Sequence, residues 1–219
     1  MESRVLIYMT GKETTPGIRL SRALSRLFDL MLLNLLWIVF TLLVITAGAA
    51  TTALCSVMFK IAEKKEGYIV RDFFRAFSQK FRQSTAIWLL LAAAGVILGS
   101  NIFMTFGRPG ILPKMCFAAA AFAVPFYIVE LEFVFWIVGR FEGTVGDLMK
   151  KGILIPVSRL PYVLPILFLD GACLVLLFLN EKTMAAGAVI VVSIGISTLV
   201  FAKSFLVKKV IEPYENEDC

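Results

Sequence analysis

Three acidic residues in the apolar part of the sequence are the side chains best suited to chemistry. Glu130, Glu132 and Asp170 each lie inside a long run of apolar residues. Acidic side chains in membrane segments are rare, and they often mark ion, proton or solute pathways. A carboxyl group at such depth is expected either to be protonated or to contact water, a cation or a sugar hydroxyl. The sequence therefore predicts an intramembrane polar site.

The spacing of these residues from flanking cations predicts their depth. Glu130 precedes Arg140 by ten residues, and Asp170 follows Arg159 by eleven. If the two runs are antiparallel helices, both carboxyl groups lie about 15–16 Å from the same membrane face. We therefore expect Glu130 and Asp170 at matching depth, with no Lys or Arg reaching them. Glu132 is rotated about 200° from Glu130 around the helix and is expected to face elsewhere.

Two residues of the first apolar run complete the candidate polar site. Trp37 follows Arg26 by eleven residues and is expected at a similar depth. An aromatic ring beside two carboxylates is an arrangement suited to binding a sugar. The alternative is that protonated carboxyl groups and Asn34 hydrogen-bond between helices. The sequence leaves both interpretations open.

The composition indicates that membrane helices hold these residues. Hydrophobic residues make up 59% of the chain and charged residues 17%, whereas soluble domains average about 45–50% and about 25%. The alternation typical of β-strands is absent. Five apolar runs approach the roughly 20 residues that a helix needs to cross a bilayer: they are Leu24–Ile45, Thr85–Phe106, Met115–Val138, Tyr162–Leu179 and Met184–Val207.

The distribution of Lys and Arg shows that a shorter run, Ala49–Ala62, also enters the membrane. If it does, 19 Lys and Arg lie on the side of the N terminus, and the other side keeps Arg108, Lys114 and Lys182. Such an imbalance marks the cytoplasmic side. We predict an all-α, polytopic membrane helix bundle in which residues 1–219 form one domain. It has about six membrane-inserted helices, the second of them short, and both termini are cytoplasmic.

The segments between the runs give further predictions. Thr15 and Pro16 mark the start of a helix, which is expected to lie along the membrane surface before it turns into the first span. Ala47–Ala50 is expected to be a tight outer turn, and Phe141–Arg159 a cytoplasmic loop. Three cytoplasmic segments follow from the pattern: an N-terminal segment 1–23, an amphipathic interfacial helix 67–83 and a tail 208–219.

The amphipathic helix 67–83 is a candidate docking surface. Aromatic residues recur at helical spacing on one side and cations supply the polar side, a pattern typical of helices at the lipid headgroups. Asp72 falls in its first turn, where a negative charge complements the helix dipole, and Arg75 is a possible ion-pair partner. The surface is interpreted as an anchor to anionic lipid or a docking site for a partner protein. Its residues are Arg71, Asp72, Phe73, Phe74, Phe77, Lys80 and Phe81.

Several functional classes are unlikely from residue content. The sequence contains no histidine, which excludes His-dependent catalysis and makes the usual zinc sites implausible. The phosphate-binding motif G-x-x-x-x-G-K-[ST] is absent. The formal charge of +6 reflects cations that flank apolar runs, so nucleic acid is not an expected partner. We therefore predict a protein that is not an enzyme and has no cofactor.

Three segments in the first 90 residues resemble the YesL-like family of small bacterial membrane proteins. They are F-D-L-M-L-L-N-L-L-W (Phe28–Trp37), T-A-G-A-A-T-T-A-L (Thr46–Leu54) and G-Y-I-V-R-D-F-F-R-A-F-S-Q-K-F-R-Q-S-T-A-I-W (Gly67–Trp88). The rest of the chain is similar to the family only in its hydrophobic spans.

The resemblance implies a multi-pass protein of the bacterial cell membrane. Such proteins are encoded near carbohydrate ABC importers and two-component sensors, which implies an accessory or regulatory role in carbohydrate uptake. The implied partners are the lipid bilayer and either permease subunits of an ABC importer or a membrane sensor kinase. The alternative, from the residues themselves, is a small solute transporter or channel that uses the mid-membrane carboxylates.

Overall fold

The computed structural model describes residues 16–63, 68–178 and 195–215, with side chains for 24–63, 68–175 and 195–214. Within these ranges the chain forms seven α-helices and one short 3-10 turn at Val44–Thr46, and it forms no strand. The predicted all-α class is confirmed. The helices are α1 (Pro16–Thr41), α2 (Ala47–Ala62), α3 (Ile69–Thr105), α4 (Ile111–Arg140), α5 (Val145–Ser158), α6 (Leu160–Phe178) and α7 (Ile196–Glu215).

Four segments of the described chain are long and apolar enough to cross a membrane. They are Leu24–Thr41, Val44–Ala62 and the whole of α3 and α4. A fifth would be α5 and α6 taken together, which meet at a bend of 100°. Much of the predicted run Met184–Val207 lies outside the described residues, so the number of six and the side of each terminus stay predictions.

Helix α2 is the centre of the bundle. It packs against α1, α3, α4 and α7, and most of its residues from Ala47 to Phe59 are buried. Its small first residues permit close packing: a Cβ atom added to Gly48 would lie 2.5 Å from the Cβ of Trp88 and 2.6 Å from the carbonyl oxygen of Ser84. The expected outer turn at Ala47–Ala50 is therefore wrong. These residues form the buried first turn of α2.

Two helices are longer than the apolar runs that predicted them. Helix α1 continues without a break from Pro16 to Thr41, so the expected turn between a surface segment and the first span does not exist. Helix α3 has 37 residues, a length of about 55 Å at 1.5 Å per residue. It joins the amphipathic segment 67–83 directly to the apolar run Thr85–Phe106.

The predicted loop Phe141–Arg159 and the predicted tail 208–219 are both largely helical. The loop contains α5, whose start is fixed by a capping box: the Asp147 amide donates to the Thr144 hydroxyl, and the Thr144 amide donates to the Asp147 carboxylate, both at 3.3 Å. Helix α7 continues through the tail to Glu215. Its Tyr214 hydroxyl lies 2.7 Å from that of Ser158.

Candidate intramembrane charge site

A buried lysine joins three helices in the interior of the bundle. The Nζ atom of Lys203 on α7 lies 2.8 Å from Oε1 of Glu132 on α4 and 2.5 Å from Oδ1 of Asp170 on α6. The Lys203 side chain is 5% exposed, whereas those of Glu132 and Asp170 are 22% and 26% exposed. We call these three residues the charge cluster. The prediction that no cation reaches the carboxylates is wrong.

The length of α7 explains how Lys203 reaches this position. The apolar run Met184–Val207 predicted a last span that ends four residues after Lys203. Helix α7 ends instead at Glu215, twelve residues beyond Lys203 and therefore about 18 Å along the axis. Lys203 therefore lies in the interior of a continuous helix, beside Glu132 of α4 and Asp170 of α6.

The structure pairs Asp170 with Glu132 and not with Glu130. Glu130 is 3% exposed and faces α5, where a Cβ atom added to Gly152 would lie 2.7 Å from its Oε2 atom. Neither carboxyl oxygen of Glu130 has a hydrogen-bond partner among the described residues. A buried carboxyl group without a partner is least costly when it is protonated. The predicted site is thus divided between two faces of α4.

The contact between Glu130 and Gly152 makes a testable prediction. Gly152→Ala is expected to destabilise the protein by about 1 kcal/mol, the lower end for overpacking, because the Glu130 side chain can partly move away. In a Glu130→Ala background the cost should largely disappear, since the clashing atoms are gone. Thermal unfolding of the four proteins in detergent measures this coupling. Equal costs of Gly152→Ala in both backgrounds would contradict the contact.

The other two predicted site residues make hydrogen bonds between helices. The backbone amide of Ser197 on α7 donates to Oδ1 of Asn34 at 3.3 Å. The indole nitrogen of Trp37 donates to the hydroxyl of Thr51 on α2 at 3.1 Å. For Asn34, the observed contact supports the interpretation as an interhelical hydrogen-bonding group. The hydrogen bond to Asn34 holds α1 against α7, and the hydrogen bond from Trp37 holds α1 against α2.

The chemistry open to the charge cluster follows from its charges and exposure. Two carboxylates around one ammonium carry a formal excess of one negative charge when all three groups are ionised. Glu132 and Asp170 are partly exposed, so a small cation or a hydroxyl group can approach them. In the described part of the chain, no group of three or more His, Cys, Asp or Glu residues is arranged to hold a metal ion.

The predicted aromatic docking surface is largely internal. Phe73 is fully buried, and Phe77 and Phe81 are half-buried. Phe40 of α1 packs on this side of α3, with ring centroids 6.0 Å from Phe73 and 4.8 Å from Phe77. Only Phe74 of the four phenylalanines is exposed, at 42%. The aromatic repeat therefore positions α1, a role that helical spacing alone cannot distinguish from lipid contact.

Several charged residues near the N-terminal half of α3 form ion pairs within the chain. Asp72 lies in the first turn of α3, as predicted, but it pairs with Lys60 at 2.9 Å and not with Arg75. The Lys80 ammonium donates to the Phe141 carbonyl at 3.3 Å and lies 3.7 Å from Glu142. Arg140 pairs with Glu63 at 2.5 Å.

Three arginines of α3 differ from these paired cations. Arg71, Arg75 and Arg82 are exposed, and none of them has an ion pair with any residue that the structure describes. Their spacing of four and seven residues places them within about 40° of one another around the helix. We call them the arginine stripe. Phe74 lies beside the stripe on α3.

Comparisons with known proteins agree with the resemblance at the level of a family. Residues 30–102 match the DUF624 family. Its description is "Protein of unknown function, DUF624". The DUF624 match covers the C-terminal part of α1, all of α2 and most of α3 with its arginine stripe. The charge cluster lies outside it.

A curated relative from Bacillus subtilis (strain 168) extends the similarity. It is named "Uncharacterized protein YteU" and is 30% identical over 148 residues, which is 66% of each chain. The match thus spans just under two thirds of that relative's length. No solved structure matches the chain.

Proposed function

We propose that this chain is a YesL-like, non-enzymatic protein of the bacterial cell membrane that acts as an accessory or regulatory component of carbohydrate uptake. The DUF624 match and the similarity to YteU support the family. The link to carbohydrate uptake comes from the resemblance to the YesL-like family. The absence of histidine from the sequence supports a function without acid–base catalysis by that residue.

The arginine stripe is the observation that carries the proposal. Neighbouring cations at this end of the bundle are held by carboxylates of the same chain, whereas Arg71, Arg75 and Arg82 remain exposed without an ion pair in the described structure. Arginine and aromatic residues are enriched at the centres of protein interfaces. A stripe of arginines beside the exposed Phe74 therefore suits an acidic cytoplasmic surface of a permease subunit or a sensor kinase.

Removing this surface should abolish co-purification with a membrane partner. The test variant combines Arg71→Ala, Arg75→Ala and Arg82→Ala, all exposed positions whose loss should leave the fold intact. We expect carbohydrate importer or sensor subunits to co-purify with the unmodified chain from native membranes and to be lost from the variant. The matched control is Lys150→Ala, an exposed cation on α5, which should retain the partner.

Two outcomes of that experiment would contradict the proposal. The first is a variant that unfolds no more easily than the unmodified chain and retains its partners. The second is the absence of any importer or sensor subunit from both samples after mild crosslinking. Loss of binding to vesicles with anionic lipid, without loss of a protein partner, would instead assign the stripe to the membrane surface.

A small transporter or channel is the second candidate function, and the charge cluster favours it. The carboxylates of Glu132 and Asp170 are partly exposed while Lys203 is buried, so a solute would meet the acidic side of the cluster. Purified chain in liposomes should then move a solute alone, and Asp170→Asn should abolish the flux. Glu142→Gln, at an exposed carboxylate, is the control and should leave the flux unchanged.

A further inference from the structure

The turn between α1 and α2 is apolar although it is exposed on the protein. Leu42, Leu43, Val44 and Ile45 are 62–76% exposed. No charged residue occurs between Asp29 and Lys60. A turn that projects into water usually carries Gly, Pro, Asn, Asp or Ser. These four residues, which we call the hairpin tip, are instead suited to hydrocarbon.

The turn between α3 and α4 provides the contrast within the same chain. It contains Gly107, Arg108, Pro109 and Gly110, and both glycines adopt positive φ angles of 70° and 119°. These are the residue types and the backbone conformations of a turn in water. The composition of the hairpin tip is therefore that expected in hydrocarbon, and the composition of the α3–α4 turn is that expected in water.

The position of the hairpin tip along α3 shows how far it reaches. The indole nitrogen of Trp88 donates to the carbonyl oxygen of Val44 at 2.8 Å, and Gly48 packs against Ser84 and Trp88. Helix α3 continues for 17 residues beyond Trp88 to Thr105, which is about 25 Å. Along α3, the tip therefore lies well short of the α3–α4 turn. It also lies beyond Arg82, the last cation of α3.

Helix α2 alone is also short for a complete crossing, since the span Val44–Ala62 reaches crossing length only by including the 3-10 turn. Its 16 residues span about 24 Å, less than the hydrocarbon thickness of about 30 Å. At its other end, Lys60 pairs with Asp72 in the first turn of α3. Both ends of α2 therefore lie alongside residues 72–88 of α3, and neither approaches Thr105.

The protein supplies hydrogen bonds to part of the non-helical backbone of the turn, chiefly to its carbonyl oxygens. Besides the bond from Trp88, the Thr46 hydroxyl donates to the carbonyl oxygens of Phe40 and Leu43, and the Thr46 amide donates to Leu43 at 2.7 Å. The amide of Leu42 donates to Ile38 at 3.0 Å. Hydrogen bonds of this kind lower the cost of placing irregular backbone at membrane depth.

We infer that α1 and α2 form a re-entrant hairpin that enters the bilayer from the side of the arginine stripe and returns without crossing it. The partner of the hairpin tip is the acyl-chain region of the lipid. The count of positive charges does not distinguish this topology from two crossings, because both return α2 to the side on which α1 began. The inference is independent of the proposed accessory or transport function.

Cysteine accessibility tests the inference directly. In a full-length chain whose four native cysteines are replaced, single cysteines are introduced as Val44→Cys at the tip, Pro109→Cys in the α3–α4 turn and Gln79→Cys on α3. An impermeant maleimide is applied to intact cells and to inside-out vesicles. We expect Pro109→Cys and Gln79→Cys to label from opposite sides. Val44→Cys should label from neither side until detergent is added.

Quenching by labelled lipids detects contact of the tip with acyl chains directly, and does not rely on the absence of labelling. A polarity-sensitive fluorophore on Val44→Cys should be quenched by lipids that carry a nitroxide on the acyl chain, and the same fluorophore on Pro109→Cys should not. Labelling of Val44→Cys from either aqueous side would overturn the inference. If Val44→Cys is not produced as folded protein, Leu42→Cys, at 76% exposure, takes its place with the same expected result.

Discussion

Lys203→Met is expected to lower the free energy of unfolding by about 3–5 kcal/mol, the usual cost of removing one partner from a buried ion pair. The substitution leaves Glu132 and Asp170 facing each other without the ammonium that lies 2.8 Å and 2.5 Å from their oxygens. Methionine approximates the volume of the lysine stem, so packing changes little. The decrease in the free energy of unfolding therefore measures the cost of leaving two carboxylates without their cation.

Thermal unfolding in lipid nanodiscs checks this expectation, with Lys209→Met as the matched control. Lys209 lies on the same helix but is exposed, and its substitution should have little effect. A triple variant that adds Glu132→Gln and Asp170→Asn should recover much of the stability, because no buried charge then lacks a partner. Lys203→Met as stable as Lys209→Met would contradict the role of the charge cluster in joining α4, α6 and α7.

Gly48→Ala should cost about 3 kcal/mol, the upper end for overpacking in a well-packed core. The added Cβ would lie 2.6 Å from the backbone carbonyl oxygen of Ser84 and 2.5 Å from the Cβ of Trp88. Neither atom can move by a side-chain rotation, so α2 and α3 must separate. The hydrogen bond from Trp88 to Val44 would be strained at the same time.

Gly99→Ala is the control for this substitution. Gly99 lies on α3, and a Cβ atom there would meet nothing within 4 Å. Because alanine is the better helix former, Gly99→Ala should leave the unfolding midpoint unchanged or slightly higher. Tryptophan fluorescence of Gly48→Ala should also change, since Trp88 lies at the contact. Similar midpoints for the two variants would contradict close packing of α2 against α3.

The sequence was sufficient to predict the helices that are long and apolar enough to cross a membrane, because the length of an apolar run is a direct physical requirement of the bilayer. The run Thr85–Phe106 forms the C-terminal part of α3, and Met115–Val138 forms most of α4. The environment of a single helix was harder to predict. The phenylalanine repeat of α3 has the same spacing whether Phe73 meets lipid or meets Phe40.

The sequence predicted which acidic residues belong to the candidate site, but it did not predict which groups they contact. Depth could be counted from Arg140 and Arg159, whereas the rotation of each helix depends on contacts between helices. Glu130 therefore faces Gly152, and Glu132 faces Lys203. Lys203 was missed because the charged residues after Val207 suggested a tail, while Val210 and Ile211 of that segment are buried.

Helix α5 was missed although its sequence carries a start signal. In a capping box, a hydroxyl and a side-chain acceptor three residues later each accept a hydrogen bond from the other residue's backbone amide. Thr144 and Asp147 have this spacing. With 14 residues, the helix is shorter than a membrane span, so the length of an apolar run gives no sign of it.

The order of the charge cluster along the chain has a consequence for biosynthesis. Glu132 and Asp170 leave the ribosome before Lys203, which belongs to the last described helix. Their two helices must therefore be handed to the insertion machinery while their carboxyl groups still lack the ammonium. A nascent chain interrupted before Lys203 therefore carries two acidic side chains without the cation that binds them in the completed protein.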